Sequence, residues 1–161
     1  MRLWIGIGVI LCILGLSQVL YWPQSDSIQP GVYLRTWPLL PLHLGDIVVF
    51  RPPLRTWPFL ASIGMDGQRV TFIKEVGALP GDPICIQHDT ALIGDHRMLI
   101  RLTATSTGIP IPLWYRHCGT VPHSMFVPVG THDSRSLDGR YYGPVDQSAI
   151  VARVTPLWLV R

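Results

Sequence analysis

At 161 residues the chain has room for one domain and little more. Hydrophobic residues make up 48% and charged ones only 14%, while a formal charge of +3 comes from scattered arginines rather than a basic stripe interleaved with aromatics, which argues against nucleic acid as a partner. Fifteen Gly and fifteen Pro argue against long helices beyond the first segment.

Leu3 to Trp22 holds no ionisable side chain except Cys12 and Tyr21, and only Ser17 and Gln18 are clearly polar. About 20 such residues suffice to cross the roughly 30 Å hydrocarbon core as a helix. Tyr21 and Trp22 fall where an interfacial aromatic belt lies, and Pro23 is expected to end the helix. Arg2 and the free amino group precede the span, and the next basic residue is Arg35. The positive-inside rule therefore places the N-terminus in the cytoplasm and the remainder outside. A cleaved signal peptide is the competing reading. The residues that follow, Tyr-Trp-Pro-Gln, contain no A-x-A-like site, which favours an uncleaved anchor. The expected organisation is a transmembrane anchor over residues 1–22 and one exported domain over 23–161.

Beyond Pro23 the sequence reads as strands and turns. Gly45-Asp46 is a turn, and Ile47 to Phe50 suits a buried strand stopped by Arg51-Pro-Pro. Arg55 to Gly67 reads as irregular, with its tryptophan and methionine turned toward a substrate or the membrane. Arg35-Thr-Trp-Pro-Leu-Leu and Arg55-Thr-Trp-Pro-Phe-Leu look alike, but two hexapeptides make no repeat architecture. Val70 to Val76 is a predicted strand closed by the turn Leu79-Pro-Gly-Asp82. Further strands are predicted over Ile84–Gln87, Met98–Thr103, Met125–Val129, Ile150–Val154 and Leu157–Val160, with a Gly/Pro-rich loop over Ser106–Pro112. The fold class is mainly β: an N-terminal transmembrane helix followed by an antiparallel β domain.

Cys12 lies inside the predicted span. Cys85 and Cys118 both fall on the oxidising side, where a disulfide can persist. A bridge between them would stabilise the domain by roughly 3–4 kcal/mol; two unpaired buried thiols are the alternative.

Lys74 is the only lysine, against twelve arginines. Arginine cannot release its proton at working pH, whereas a desolvated lysine can. In a strand Lys74 shares a face with Val70, Phe72 and Val76, and an ammonium among those side chains loses hydration. Lowering its pKa from about 10.4 to near 7 requires roughly 4.6 kcal/mol, within reach of burial. The bland alternative is a lysine snorkelling from an edge strand. Other chemistries lack support. Six histidines show no H-x-x-x-H spacing, no C-x-x-C is present, and the glycines form no phosphate loop, so neither metal nor cofactor is expected. His132 and Asp133 are adjacent and so point to opposite faces of a strand, poorly placed for a Ser-His-Asp triad.

Five segments carry a resemblance in the right order. Ser25-Asp-Ser27-Ile-Gln-Pro30 looks like the S-x-S-M-x-P box of type I signal peptidases, and Gly45-Asp-Ile-Val-Val-Phe50 resembles their G-D-[IV]-V-x-F box. Ile73-Lys74-Glu-Val-Gly-Ala-Leu-Pro-Gly-Asp82 resembles K-R-x-x-G-x-P-G-D, which carries that family's base. Val121-Pro-His-Ser-Met-Phe-Val-Pro-Val-Gly130 is similar to V-P-x-G-x-[YF]-F-x-x-G, and Ser136-Leu-Asp138-Gly-Arg140-Tyr-Tyr-Gly143 to S-x-D-S-R-Y-x-G. Gly31-Val-Tyr, Arg51-Pro-Pro and Tyr-Tyr-Gly-Pro look most like the conjugative-transfer branch, the TraF-type peptidases.

The resemblance implies a Ser–Lys serine peptidase, with Ser27 as the acylated nucleophile and Lys74 as its general base. It places the Ser25 hydroxyl and the Ser27 N–H at the oxyanion, Ser136 on the lysine amine, and Asp138 with Arg140 in an ion pair beside the site. It also implies a bacterial inner-membrane location with the catalytic domain on the periplasmic side. The expected partners are the lipid bilayer, a conjugation or type IV secretion apparatus, and a membrane-associated precursor such as a pilin, which the enzyme cleaves or cyclises. A general signal peptidase acting on many preproteins, or a silent membrane-tethered scaffold, are the rival readings. The sequence departs from the family's pattern at Ile28 for methionine, Glu75 for arginine, Gly130-Thr-His for G-D-N, and Gly139 for serine.

Overall fold

Strand pairing divides the chain into two antiparallel sheets. The computed structural model describes residues 19–23, 25–37, 39–101 and 109–160. The larger sheet has seven strands: β1 (Leu20–Tyr21), β2 (Gly31–Thr36), β3 (Ile47–Phe50), β4 (Phe72–Ala78), β9 (Met125–Val129), β10 (Val145–Asp146) and β11 (Ile150–Leu159). They lie in the order β1-β2-β11-β3-β4-β9-β10. The smaller sheet, in the order β7-β6-β5-β8, contains β5 (Pro83–Gln87), β6 (Thr90–Ile93), β7 (His96–Leu99) and β8 (Cys118–Thr120).

The central strands of the large sheet are covered on both faces, which is why Ile-Val-Val-Phe in β3 reads as a continuous apolar run. Val48, Phe50, Phe72, Val76 and Phe126 pack on one face with Tyr142. Val49, Ile73, Ala152 and Val154 pack on the other with Ile28 and Tyr33. Full burial of each such side chain contributes roughly 1.5–3 kcal/mol. Phe50 sits edge-on to both Phe72 and Phe126, centring the first cluster on an aromatic core. The small sheet buries Ile84, Ile86, Ala91 and Ile93 in a third cluster.

Several expectations change. The helix expected to run to Trp22 does not: Leu20 and Tyr21 pair with Leu34 and Tyr33 as an edge strand, so the sheet begins before Pro23. Residues 1–18 of the predicted anchor, Cys12 among them, lie outside the described residues. Among the described residues no helix is long and apolar enough to cross a membrane. Arg55 to Gly67 is irregular only in its second half: a 3-10 turn over Leu54–Thr56 leads into helix α1 (Trp57–Ser62), and residues 63–67 are turn and coil. Pro58 stands in its first turn, where a missing N–H costs nothing. Trp57 turns inward rather than toward a substrate, donating from Nε1 to the Pro52 carbonyl at 3.3 Å.

The strand predicted over Met98–Thr103 is displaced to His96–Leu99, with residues 102 and 103 outside the described set. Ile150–Val154 and Leu157–Val160 fuse into one bent strand whose register shifts between Pro156 and Trp158. β2, β6, β8 and β10 were not expected. The β5–β6 turn explains one of these, because His88 takes a positive φ of 52° without glycine to signal it. Cys85 and Cys118 face each other across β5 and β8, and their sulfurs are bonded.

Candidate active site

Lys74 sits in the middle of β4, opposite Val48 of β3, and is 4% exposed. Its amine lies over the Phe72 ring at 5.4 Å from the centroid and within 2.5 Å of Ser27 Oγ. Burial drives the lysine pKa down from 10.5 to about 8, with Asp138 and Asp133 opposing the shift and Arg140 assisting it. No carboxylate forms an ion pair with the amine among the described residues. With a pKa of about 8 roughly a tenth of the amine is neutral at pH 7 and about half at pH 8, and the neutral form has a lone pair that can accept a proton from a hydroxyl.

Ser27 occupies a turn after β1, 8% exposed, and Ile28 anchors it by entering the core at 2% exposure. Isoleucine therefore fills the apolar role that the usual methionine would take. The His132 backbone N–H donates to the Ser27 carbonyl at 3.2 Å, tying the serine turn to the loop beyond β9. Thr131 Oγ1 donates to Glu75 Oε2 at 3.0 Å, linking that loop to β4. The departures at Glu75, Thr131 and His132 thus form a local substitute network, in which His132 acts through its main chain.

Ser136 Oγ donates to Ser27 Oγ at 3.2 Å. The resemblance placed this hydroxyl on the lysine amine; here it bonds the neighbouring serine. Ser136 can lie so close because residue 130 is glycine: a Cβ there would stand 2.1 Å from Ser136 Oγ. Gly139 has a similar cause, since a Cβ would meet Val127 Cγ1 at 2.5 Å, leaving no space for the serine usual at this position.

Asp138 and Arg140 hold the loop that presents Ser136. Asp138 is fully buried and caps helix α2 (Gly139–Tyr142) by accepting from Arg140 N at 3.0 Å. It also accepts from Gly130 N at 2.7 Å and from Arg140 Nε and Nη2 at 2.9 and 2.8 Å. Arg140 spends its remaining donors on the carbonyls of Leu99, Ser134 and Ser136. Burial works against the Arg140 charge, yet its hydrogen bonds to Asp138 outweigh that and hold the guanidinium pKa above its ordinary value.

Ser27 and Lys74 open into a cleft of about 750 Å³, floored by Phe59 and Leu60 of α1, Phe72 of β4, Ile111 and Leu137, with Ser25 at its edge. The Ser27 N–H and the Ser25 hydroxyl have no hydrogen-bond partner in the described residues. Both are free to meet a developing oxyanion. Sequence reasoning missed α1 as a wall of this cleft; Trp57-Pro58 at its start was the available signal. Cys85 and Cys118 lie in the other sheet and take no part in the cleft. Among the described residues no three His, Cys, Asp or Glu side chains gather to hold a metal.

A family model described as signal peptidase, peptidase S26, matches residues 3–159, and the chain belongs to that family. Within it the chain is TraF-like. It is similar to two plasmid transfer proteins TraF from Escherichia coli. One is 26% identical over 144 residues, covering 83% of this chain and 79% of the relative. The other is 24% identical over 140 residues, covering 86% and 75%. Among solved structures, a signal peptidase I from Enterococcus faecalis covers 72% of this chain and 98% of its own at 22% identity and a TM-score of 0.42.

Proposed function

We propose that the chain is a membrane-anchored serine endopeptidase that cleaves a membrane-associated precursor, a conjugative pilin or comparable preprotein, through an acyl-enzyme on Ser27. The observation that carries this reading is a buried amine without a counter-ion, within 2.5 Å of a serine hydroxyl at the wall of a cleft. Neutral Lys74 takes the Ser27 proton as Oγ attacks the scissile carbonyl, while the Ser27 N–H and Ser25 hydroxyl meet the oxyanion. The protonated amine then returns its proton to the leaving nitrogen. Water, or an amine of the substrate itself, resolves the ester. Ser136 keeps the serine hydroxyl aimed, and the Asp138–Arg140 pair keeps Ser136 in place. Similarity to proteins named for plasmid transfer supports the conjugative setting.

Mass spectrometry of a candidate pilin precursor co-expressed with the enzyme tests this reading. Wild type should yield a shortened product that is absent with Ser27→Ala. A ring product would weigh one water less than the linear one, which separates cyclisation from hydrolysis. Unchanged processing by Ser27→Ala sinks the assignment. The anchor over residues 1–22, with the catalytic domain in the periplasm, has its own test. Removing residues 1–18, which leaves β1 intact, should depress cleavage of a membrane-inserted precursor far more than that of a soluble peptide, because tethering raises effective concentration. Equal losses on both substrates would reject that role.

A further inference from the structure

Six of the twelve arginines fall into two contrasting groups. Arg55, Arg140 and Arg153 are used internally. Arg55 donates to the carbonyls of Tyr142 and Pro144, Arg140 to Asp138 and three carbonyls, and Arg153 to Pro41 and Asp46. Arg69, Arg101 and Arg135 instead line the cleft that holds Ser27 and Lys74, and they come from three separate segments of the chain. The Arg101 side chain makes no hydrogen bond or ion pair among the described residues. The Arg135 side chain engages Asp133 through Nε alone, at 3.1 Å to both carboxylate oxygens, leaving both terminal nitrogens without a partner among the described residues. Arg69 has only a loose 3.4 Å contact with Asp66, and both side chains are mostly exposed.

Among the described residues Asp133 is the only carboxylate on the cleft wall, against three guanidiniums. Asp66 beside Arg69 and Asp26 near Arg135 temper this excess from outside the wall, but neither engages the terminal nitrogens of Arg101 or Arg135. Planar guanidiniums with free paired donors match a carboxylate geometrically as well as by charge. We infer that the cleft selects its substrate by a carboxylate close to the scissile bond, held by Arg101 and Arg135 with Arg69 at the outer rim. The apolar floor binds whatever side chain enters, and the arginines add a preference for one charge. This inference rests on the reading of Ser27 and Lys74 as the catalytic pair.

The carboxylate can come from an Asp or Glu side chain or from the C-terminus of a short leaving segment. The experiment takes as parent a soluble peptide that the full-length enzyme cleaves. One arm replaces each position flanking the bond in turn by Glu or Gln; a second ends the leaving segment in a free acid or an amide. For an exposed ion pair, kcat/KM should favour the charged member of a pair by about fivefold at low ionic strength, falling toward parity in 1 M salt. The Arg101→Gln/Arg135→Gln enzyme should lose that preference, and Arg101→Glu should favour Lys over Glu at the same position. A preference in the first arm identifies a side-chain carboxylate, and one in the second identifies the terminus. Parity in both arms with wild type, or a preference that survives the double variant, overturns the inference. Neither result touches the catalytic assignment, which fails separately if Ser27→Ala cleaves the parent peptide.

Discussion

Lys74 and Arg140 are each 4% exposed, and Asp138 exerts its field on both, yet the protein handles the two cations in opposite ways. Arg140 has a bidentate carboxylate and three carbonyls, so each of its five donors is used and its charge is locked in. Lys74 has a hydroxyl and an aromatic ring, neither of which replaces lost hydration, so its charge is destabilised. One arrangement uses burial to fix a loop. The other uses burial to free a lone pair at the end of a strand residue. A buried ion pair holds a loop here, whereas a buried cation without one has its charge destabilised, which is the condition a general base needs.

The largest test exchanges the two cations. Lys74→Arg preserves the charge but removes any usable base, and should lower the rate of acylation by about 10²–10⁴-fold. Single-turnover release of a peptide product measures it, and near-normal turnover would break the distinction between the two sites. The scaffold side is tested through Asp138→Asn, which leaves the Arg140 charge buried and half partnered. It should cost about 3–5 kcal/mol in chemical denaturation. A loss below about 1 kcal/mol would mean that the pair does not hold the loop.

The two sites were unequally legible in the sequence. Lys74 stood out because one lysine among twelve arginines, in an apolar strand pattern, is a chemical anomaly that needs no coordinates. Ser27, Ser136, Asp138 and Arg140 were legible only through the resemblance, since hydroxyls and ion pairs carry no periodicity. What Ser136 touches could not be read. Its bond to Ser27 rather than the amine depends on the approach allowed by Gly130, a contact across the loop beyond β9. The central strands β3, β4, β5 and β9 were visible because burial writes apolar runs there. Edge strands β1, β8 and β10 are two or three residues long and leave no such pattern. α1, six residues long, is too short to write a helical period into the sequence.

If Lys74 is destabilised as an ammonium, the fold bears the cost at neutral pH. The folded pKa near 8 lies below the unfolded 10.5, so between these values the unfolded chain binds more protons and stability rises with pH. Below about pH 8 the full penalty, about 3 kcal/mol, is present; above about 10.5 it is gone. Lys74→Met should therefore be more stable than wild type by about that amount at pH 7, with the gap closing by pH 10.5. Denaturant midpoints across that range measure it. A methionine variant less stable than wild type at pH 7 would show that the amine supports the fold rather than straining it.

The smallest expected effect isolates the ring. Phe72 presents its face to the Lys74 amine at 5.4 Å, and an aromatic face attracts the ammonium but not the neutral amine. The ring thus works against the desolvation that lowers the pKa. Such contacts contribute about 0.5–1 kcal/mol, or less than one pH unit. In wild type the acylation rate should climb about tenfold per pH unit and level off near pH 8, where the free base becomes dominant. Phe72→Leu keeps the site apolar while removing the quadrupole, so the bend in that profile should move down by roughly half a unit. The rate well above the bend should change less than the rate at pH 6. Profiles of pre-steady-state acylation for both proteins decide it. A bend that moves upward would mean that the ring mainly excludes water from the amine, and that its attraction for the charge is the lesser effect.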